Sequence, residues 1–189
     1  MLSPLTCTER FITGAPGDPD VRILHYVPPG SAAAPRPAVL EIHGGGFVIG
    51  KADMSDAANR MIALKLDCVI VSVDYRLAPE HPFPATPQDC EAAARWVAAN
   101  LPNTGLILSG DSAGGTLTLV TALALRDKPA SVPVRLTIPF YPMADASKPY
   151  PSSTAFGSGY GLNTADVDFF EMSLAANKKS PRHSALLAD

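Results

Sequence analysis

The stretch LILSGDSAGGT, residues 106–116, decides the fold because it places a serine between a short apolar run and a helical run. Its first half predicts a buried β-strand, and residues 113–126 predict a helix. Ser112 then lies on a tight strand-to-helix turn, where Gly110 and Gly114 leave space for the two elements to approach each other. Such a turn projects the hydroxyl above the sheet, and the helix N-terminus favours the negative charge that develops during acyl transfer. The pattern predicts a nucleophilic serine at position 112.

Outward from this turn, short β-branched runs alternate with longer stretches of helical periodicity. The predicted strands are residues 21–27 (an outer strand), 38–42, 68–73, 106–109 and 134–140, and the predicted helices are residues 53–66, 87–101, 113–126 and 164–176. A Pro-rich linker is expected at residues 28–37 and a loop at residues 141–163, and Thr164 is expected to cap the last helix. This alternation predicts an α/β fold with a mostly parallel sheet flanked by helices.

Length and composition exclude several classes of protein. A chain of 189 residues suffices for about one domain, and 47% hydrophobic against 17% charged residues excludes a disordered tail or a solvated coiled coil. The net charge of −3 argues against a surface that binds nucleic acid or anionic membranes. No run reaches the ~18 apolar residues that a membrane-spanning helix needs.

The cellular location is inferred from charges near the start of the sequence and from the cysteines. Glu9 and Arg10 stand where a signal peptide has its apolar core, so export is not expected. Cys7, Cys68 and Cys90 are an odd number without metal-ligand spacing, which indicates reduced thiols. Together these features predict a cytoplasmic location.

A second motif, HGGG at residues 43–46, directly follows a predicted buried strand. Consecutive glycines let backbone N–H groups point into a pocket, where they can hold an oxyanion. The loop also resembles a dinucleotide-binding turn, since spaced glycines continue to Gly50 and Asp74 ends the next strand, where a ribose ligand would lie. Taken alone, the loop fits both interpretations. The Ser112 turn favours the oxyanion hole, because the two features then belong to one mechanism.

A third motif, DYRLAPEHPFPA at residues 74–85, contains no chemistry that demands catalysis. Arg76 and Glu80 are expected to form a structural ion pair, and the prolines to stiffen a loop over the sheet edge. His81 in this loop and His25 in the first predicted strand are expected to fill structural roles.

The motifs HGGGF, DYRLAPEHPFPA and GDSAGG, in this order, resemble the hormone-sensitive-lipase-like branch of the α/β-hydrolase family. The resemblance extends from about residue 21 to the last residue. It implies a single, incomplete α/β-hydrolase domain over residues 1–189, with a cap-like insertion at about residues 145–180. Residues 156–177, which include GYGL, resemble the part of that insertion that covers the acyl site.

Carried over to this sequence, the resemblance implies a role for each motif residue. Ser112 would be the nucleophile, and His43 would anchor the glycine loop without acting as general base. The oxyanion-hole residues would be Gly44, Gly45, Gly46 and Ala113. The first of these would shape the turn, and the other three would supply the N–H donors. The resemblance implies no metal and no organic cofactor.

The general base and the carboxylate that orients it are not convincingly present. By the chain order serine, acid, histidine, the candidates are Asp145 and His183, the one histidine after Ser112. The resemblance disfavours them, since it matches Asp145 to the entry into the cap and His183 to a surface position. It places the acid and the base on later loops, beyond this sequence. A sheet ending after four core strands would also expose an unpaired apolar edge.

We therefore interpret the chain as a piece of a full hydrolase, recorded in part or associated with a complementary C-terminal fragment. A natural short form without activity is the remaining explanation. The expected function is hydrolysis of small, short-acyl carboxylic esters through an acyl-enzyme, with amide or lactone hydrolysis possible at the same site. The alternatives are an inactive hydrolase-fold binding protein and a dinucleotide-binding fragment. The expected partners are an ester and either that fragment or a second copy, without nucleic acid or a membrane span.

Overall fold

Six strands in the described part of the chain form one mixed sheet in the order β1-β2-β4-β3-β5-β6. The structure is a computed structural model that describes residues 5–30 and 35–189. Residues 1–4, and residues 31–34 of the predicted linker, lie outside the described residues. The strands are β1 (Thr6–Ile12), β2 (Val21–Val27), β3 (Arg36–Ile42), β4 (Val69–Asp74), β5 (Asn103–Asp111) and β6 (Val134–Phe140).

Parallel pairing is confined to the part of the sheet that carries the motifs. β3 runs parallel to β4 on one side and to β5 on the other, and β5 runs parallel to β6. β2 and then β1 are added beyond β4 in antiparallel orientation. Because β3 and β5 are parallel neighbours, the HGGG loop and Ser112, which follow their carboxyl ends, meet at the same edge of the sheet.

Helices make the connections that parallel strands require. α1 (Asp56–Leu66) joins β3 to β4, α2 (Ala85–Asn100) joins β4 to β5, and α3 (Ala113–Asp127) joins β5 to β6. Two more helices, α4 (Pro151–Ala155) and α5 (Thr164–Leu174), follow β6. The predicted α/β architecture with flanking helices is confirmed. Over the residues that the structure describes, no helix combines the length and the apolar character needed to cross a membrane.

The core lies on both faces of the central strands, as is typical of parallel strands covered by helices. Leu40 of β3, Val71 of β4 and Leu108 of β5 are fully buried in the larger cluster, which also includes the small residues of α2. A smaller cluster on β2 and β4 contains Tyr26 and Ile70. This packing fixes β3 and β5, and hence the two loops at their carboxyl ends.

β2 has the bounds of the strand predicted at residues 21–27, but it is not the outer strand, because β1, which was not predicted, lies beyond it. Every residue of β1 pairs with β2, so β2 has a neighbour on both sides. Most β1 side chains are exposed or half-buried, and Ile12 is its buried residue. Because β1 is stabilised by backbone pairing more than by burial, its sequence lacks the apolar pattern on which the strand predictions depended.

The last two helices also differ from prediction. The predicted loop at residues 141–163 contains α4, and Thr164 is the first residue of α5 instead of its cap. The side chain of Asn163 accepts a hydrogen bond from the backbone N–H of Asp166, whose carboxylate accepts the N–H of Asn163 in return. This capping box satisfies two N–H groups at the helix start, which explains why the cap is Asn163 and the helix begins one residue earlier than expected.

Arg76 pairs with Asp89 and Asp18, so the predicted Arg76–Glu80 ion pair is wrong. Three guanidinium hydrogen bonds of 2.8–3.1 Å reach the Asp89 carboxylate, and Asp18 lies 2.9 Å away. The Asp89 side chain is fully buried, so its charge requires a partner, whereas Glu80 is exposed to water.

Candidate active site

Ser112 lies on the turn between β5 and α3, in a backbone conformation that residues other than glycine rarely adopt. Its φ is 51° and its ψ is −118°. Its N–H donates to the carbonyl of Phe140, the last residue of β6, over 3.0 Å. A Cβ on Gly114 would lie 2.0 Å from the carbonyl oxygen of Ile42, so glycine at this position permits α3 to approach β3. The neighbouring elements therefore hold the serine in its strained turn.

Thr116, one turn into α3, ties this turn to the segment after β6. Its N–H donates to the Ser112 carbonyl over 3.0 Å. Its hydroxyl contacts both the carbonyl and the N–H of Met143 at 3.0 Å. Sequence reasoning did not single out Thr116, although its position next to the GDSAG motif was a usable signal. The contact joins the candidate nucleophile to the wall of the cavity above it.

The glycine loop after β3 makes a tight turn in the left-handed region. Gly45, Gly46 and Phe47 have φ values of 116°, 60° and 65°. The Gly45 carbonyl accepts hydrogen bonds from the N–H groups of Val48 and Ile49, over 3.1 and 3.0 Å. These two bonds close the loop, so the hydrogen-exchange protection of the two N–H groups reports on its geometry.

Three N–H groups have no protein acceptor within residues 5–30 and 35–189: those of Gly45, Gly46 and Ala113. Gly44 differs, because its N–H donates to Oδ1 of Asp111 over 3.2 Å. The N–H of Gly44 therefore serves the loop. The other three N–H groups are free to donate hydrogen bonds to a negatively charged oxygen, as the preorganised donors of an oxyanion hole do.

His43 is buried beneath this loop and holds it through Nδ1, while its Nε2 has no hydrogen-bond partner among the described residues. Its Nδ1 lies 2.7 Å from the Gly44 carbonyl, and its ring stacks on Tyr75 with 4.2 Å between centroids. The Tyr75 hydroxyl donates to the His43 carbonyl over 2.9 Å. Burial raises the pKa of Tyr75 well above its ordinary value, so the hydroxyl keeps its proton and remains a donor. These contacts fit the anchoring role expected for His43.

Asp74, the residue on which the dinucleotide alternative depended, is already engaged. Its carboxylate accepts a hydrogen bond from the N–H of Ala52 over 2.9 Å and one from Arg22 over 3.1 Å. Arg22 also binds Asp53 and Glu9, which makes Asp74 part of a structural ion-pair network. A ribose would have to displace these partners, so this geometry disfavours the dinucleotide interpretation.

A cavity of about 800 Å³ opens above the serine turn. Gly46, Ser112 and Ala113 form part of its lining, and Phe156 and Phe170 from the helical segment after β6 form another part. The candidate nucleophile and two of the free N–H groups thus face the same space. A cavity of this volume is in the range of small-molecule sites.

Asp145 lines this cavity but is committed to local partners. Its carboxylate accepts hydrogen bonds from the N–H of Ser147 over 2.8 Å and from the hydroxyl of Tyr150 over 2.6 Å. These hydrogen bonds lower the pKa of Asp145 to about 2. Asp145 is therefore an anion whose two oxygens are occupied within its own loop.

His183 is 2% exposed, so the expectation of a surface residue at this position is wrong. Its Nε2 lies 3.1 Å from both carboxylate oxygens of Glu171 on α5. Its ring makes edge contacts with Phe47 and Phe83. Apolar walls and one buried carboxylate explain the burial. His183 is absent from the cavity lining among the described residues, so the structure joins it to Glu171 and not to Asp145.

The two remaining histidines lie away from the serine turn. His25 is buried in β2 beside Trp96, and burial, with a smaller effect of the Arg10 charge, lowers its pKa to about 4. His81 is exposed in the proline-rich loop. Neither lines the described cavity, in agreement with the structural roles expected for them.

Comparison with known proteins identifies the family to which this site belongs. The sequence profile described as alpha/beta hydrolase fold matches residues 39–189. The chain belongs to the alpha/beta hydrolase family. This family is the one that the three sequence motifs predicted, and the prediction is confirmed.

The relatives of this chain include named esterases. Carboxylesterase NlhH of Mycobacterium tuberculosis is 36% identical over 175 residues, covering 90% of this chain and 54% of its own length. Carboxylic ester hydrolase LipN of the same organism is 36% identical over 197 residues, covering 96% and 51%. The solved esterase of Pyrobaculum calidifontis superposes with a TM-score of 0.88 at 34% identity, covering 97% of this chain and 62% of that one. The hydrolase chain thus spans about half the length of the curated relatives that it matches.

Proposed function

We propose that this hydrolase chain carries the nucleophile and the oxyanion hole of a serine carboxylesterase that acts on small, short-acyl esters. Ser112 attacks the ester carbonyl, and the N–H groups of Gly45, Gly46 and Ala113 bind the oxygen that becomes negative. The leaving alkoxide takes up the proton that the Ser112 hydroxyl loses and departs as the alcohol, and an acyl-enzyme remains. Water then hydrolyses the acyl-enzyme, which releases the acid and restores the hydroxyl. No step in this scheme requires a metal or an organic cofactor.

One observation carries the proposal: a serine in a strained turn faces the same cavity as N–H groups that have no acceptor among the described residues. A structural turn has no need of both features. The names of the relatives point in the same direction, since NlhH and LipN are a carboxylesterase and a carboxylic ester hydrolase.

The cavity supports the substrate size within this proposal. Its volume of about 800 Å³ suits a small ester, and Phe156 and Phe170 offer apolar contacts for a short acyl chain. Residues at about 145–180 would then act as the cap that covers the acyl site, since α4 and α5 lie within this range.

We further propose that the acid and the base come from a polypeptide that pairs with the free edge of β6. In the described part of the chain β6 pairs with β5 alone, and Leu136 and Phe140 are 50% and 53% exposed. A complementary C-terminal fragment is the proposed occupant, and a second copy of the chain is the alternative. Leu136→Lys should abolish either association in sedimentation experiments, because burial at the interface would strip the lysine charge of its water without giving it a partner.

The candidate function from another class is an inactive hydrolase-fold binding protein. It is favoured by the partners of Asp145 and His183, which leave neither group joined to Ser112. A fluorophosphonate probe separates the two functions. The esterase proposal predicts that the oxyanion-hole N–H groups make labelling of the tryptic peptide of residues 96–126 faster than that of a surface serine, with no labelling of that peptide in Ser112→Ala. Labelling no faster than that of a surface serine would support the binding protein.

The cytoplasmic location is also a proposal. Cys7, Cys68 and Cys90 are free thiols, and two of them are buried, as expected for a protein of a reducing compartment. Fractionation of cells that express the protein would test it, and recovery from an oxidising compartment would contradict it.

A further inference from the structure

Phe170 and Glu171 of α5 both connect this helix to the glycine loop, the first directly and the second through His183. The ring of Phe170 lies directly on Gly46, since a Cβ on that glycine would come within 2.4 Å of the ring. Glu171, the next residue, is 7% exposed and also lines the cavity above Ser112, with both oxygens 3.1 Å from Nε2 of His183. This bond ties the turn of α5 that carries Phe170 to His183.

His183, the partner of Glu171, contacts the same glycine loop at a second place. Its ring packs against Phe47, which immediately follows Gly46, with 5.7 Å between ring centroids. The oxyanion loop is thus held between Phe170 on one side and His183 on the other. The hydrogen bond between His183 and Glu171 connects the two contacts.

The segment that carries His183 is itself fixed. The N–H groups of His183 and Ser184 both donate to the carbonyl of Ser180, over 2.9 and 2.8 Å. The Ser184 hydroxyl also donates to the carbonyl of Lys178 over 2.5 Å and accepts the N–H of Ala146 over 2.9 Å. A side chain anchored in this way can position α5, because the anchor does not move with the helix.

We propose that Glu171 and His183 are positioning residues for the oxyanion hole, which they hold in shape through Phe170 and Phe47. This inference rests on the proposed function, because the oxyanion hole is part of that proposal. It assigns the shape of the hole to the hydrogen bond between Glu171 and His183, which lies outside the hole. Neither residue touches the reacting atoms. The Glu171 carboxylate accepts a hydrogen bond from Nε2 of His183, and Lys178 lies 3.7 Å from the same carboxylate.

Hydrogen exchange tests the proposal without any need for turnover. The N–H groups of Val48 and Ile49 close the glycine loop, and their exchange measures how often it opens. We expect Glu171→Leu and His183→Leu to accelerate exchange at both positions by about tenfold relative to amides in the centres of β3 and β5. Glu171→Gln retains an oxygen that accepts from Nε2, so protection should stay within about twofold of the wild-type level.

Two controls separate positioning from a general loss of stability. Met172→Ala changes a residue of α5 that is 80% exposed and should leave the loop unchanged. Leu24→Ala destabilises the smaller core cluster and should accelerate exchange in the loop and in β3 equally, if at all. Unchanged protection of Val48 and Ile49 in whichever of the two leucine variants folds overturns the proposal.

Turnover gives the second readout. In the form of the protein that hydrolyses esters, Glu171→Leu should lower kcat by about tenfold with little change in KM, because an oxyanion hole acts on the transition state. Glu171→Gln should restore kcat. A rise in KM at constant kcat would refute positioning of the hole. Absence of Ser112 labelling by the fluorophosphonate probe in the folded wild-type protein would refute the proposed function, while the exchange experiment would still decide the role of Glu171 and His183.

Discussion

The backbone N–H of Gly44 donates a hydrogen bond of 3.2 Å to Oδ1 of Asp111. Gly44 belongs to the loop after β3, and Asp111 is the residue before Ser112 at the end of β5. The bond therefore joins the candidate oxyanion hole to the candidate nucleophile directly. Because the two strands are parallel neighbours in the centre of the sheet, both partners are fixed by the core.

Loss of this bond should weaken catalysis more than binding. Asp111→Ala removes the acceptor, so the loop is free to shift relative to Ser112, and kcat for ester hydrolysis should fall by about 10- to 100-fold. Asp111→Asn retains an oxygen at the same place and should keep most of the activity. The values of kcat and KM of the two variants test this prediction, which is wrong if both variants lose activity equally.

A methyl group on Gly46 should distort the hole without unfolding the protein. The Cβ would lie 2.4 Å from the Phe170 ring, so the ring or the loop must move, and kcat should fall by about tenfold or more. Gly159→Ala is the matched control, since Gly159 also has a positive φ but no atom within 4 Å of its Cβ position. Equal activities of Gly46→Ala and Gly159→Ala would show that the Phe170 contact has no role.

The Arg76–Asp89 pair should account for a large part of the stability of the loop before α2. Arg76→Leu leaves the Asp89 charge buried without its partner and should lower the free energy of unfolding by about 3–5 kcal/mol. Arg126→Leu breaks an exposed pair with Asp127 and should leave the free energy of unfolding nearly unchanged, because water screens this pair. Urea unfolding of the two variants measures both values, and similar losses would contradict the assignment.

His25 should make the protein less stable in acid. Burial lowers its pKa to about 4, and its ring nitrogens have no hydrogen-bond partner in the described residues. The unfolded chain, with an ordinary histidine pKa of about 6.5, binds more protons in this range. The free energy of unfolding should therefore fall as the pH decreases from about 6.5 to about 4.

The variant His25→Phe isolates this contribution. It cannot take up the proton, so it should lose less stability than the wild-type protein between pH 7 and pH 4.5. Urea midpoints at the two pH values give the comparison. If both proteins lose the same stability over this interval, His25 is not the group responsible.

The part of the fold that sequence could predict is the part that depends on local pattern. Buried strands such as β3 and β4 have continuous apolar runs, and the turn at Ser112 has its glycines within a few residues. β1 has neither an apolar run nor a glycine turn. It is held by backbone pairing to β2, and such pairing places few demands on which side chains are present.

The candidate site divides in the same way. Ser112 and the glycine loop were predictable because each motif contains its own geometric requirements. The burial of His183 was not, since it depends on Phe47, Phe83 and Glu171, which are brought together by tertiary packing. Tertiary packing also explains why Arg76 binds Asp89 and not Glu80, which is nearer to it in sequence.

The most direct test of the central claim is acetyl transfer from 4-nitrophenyl acetate to the folded chain of residues 1–189. The oxyanion hole and substrate binding accelerate acyl transfer even when a member of the catalytic triad is absent, so a measurable acetyl-enzyme should accumulate. We predict an acetyl group on the tryptic peptide of residues 96–126 in the wild-type chain and none on that peptide in Ser112→Ala. An unmodified peptide in the folded wild-type chain, or an equally acetylated one in the variant, would contradict the assignment of Ser112 as the nucleophile.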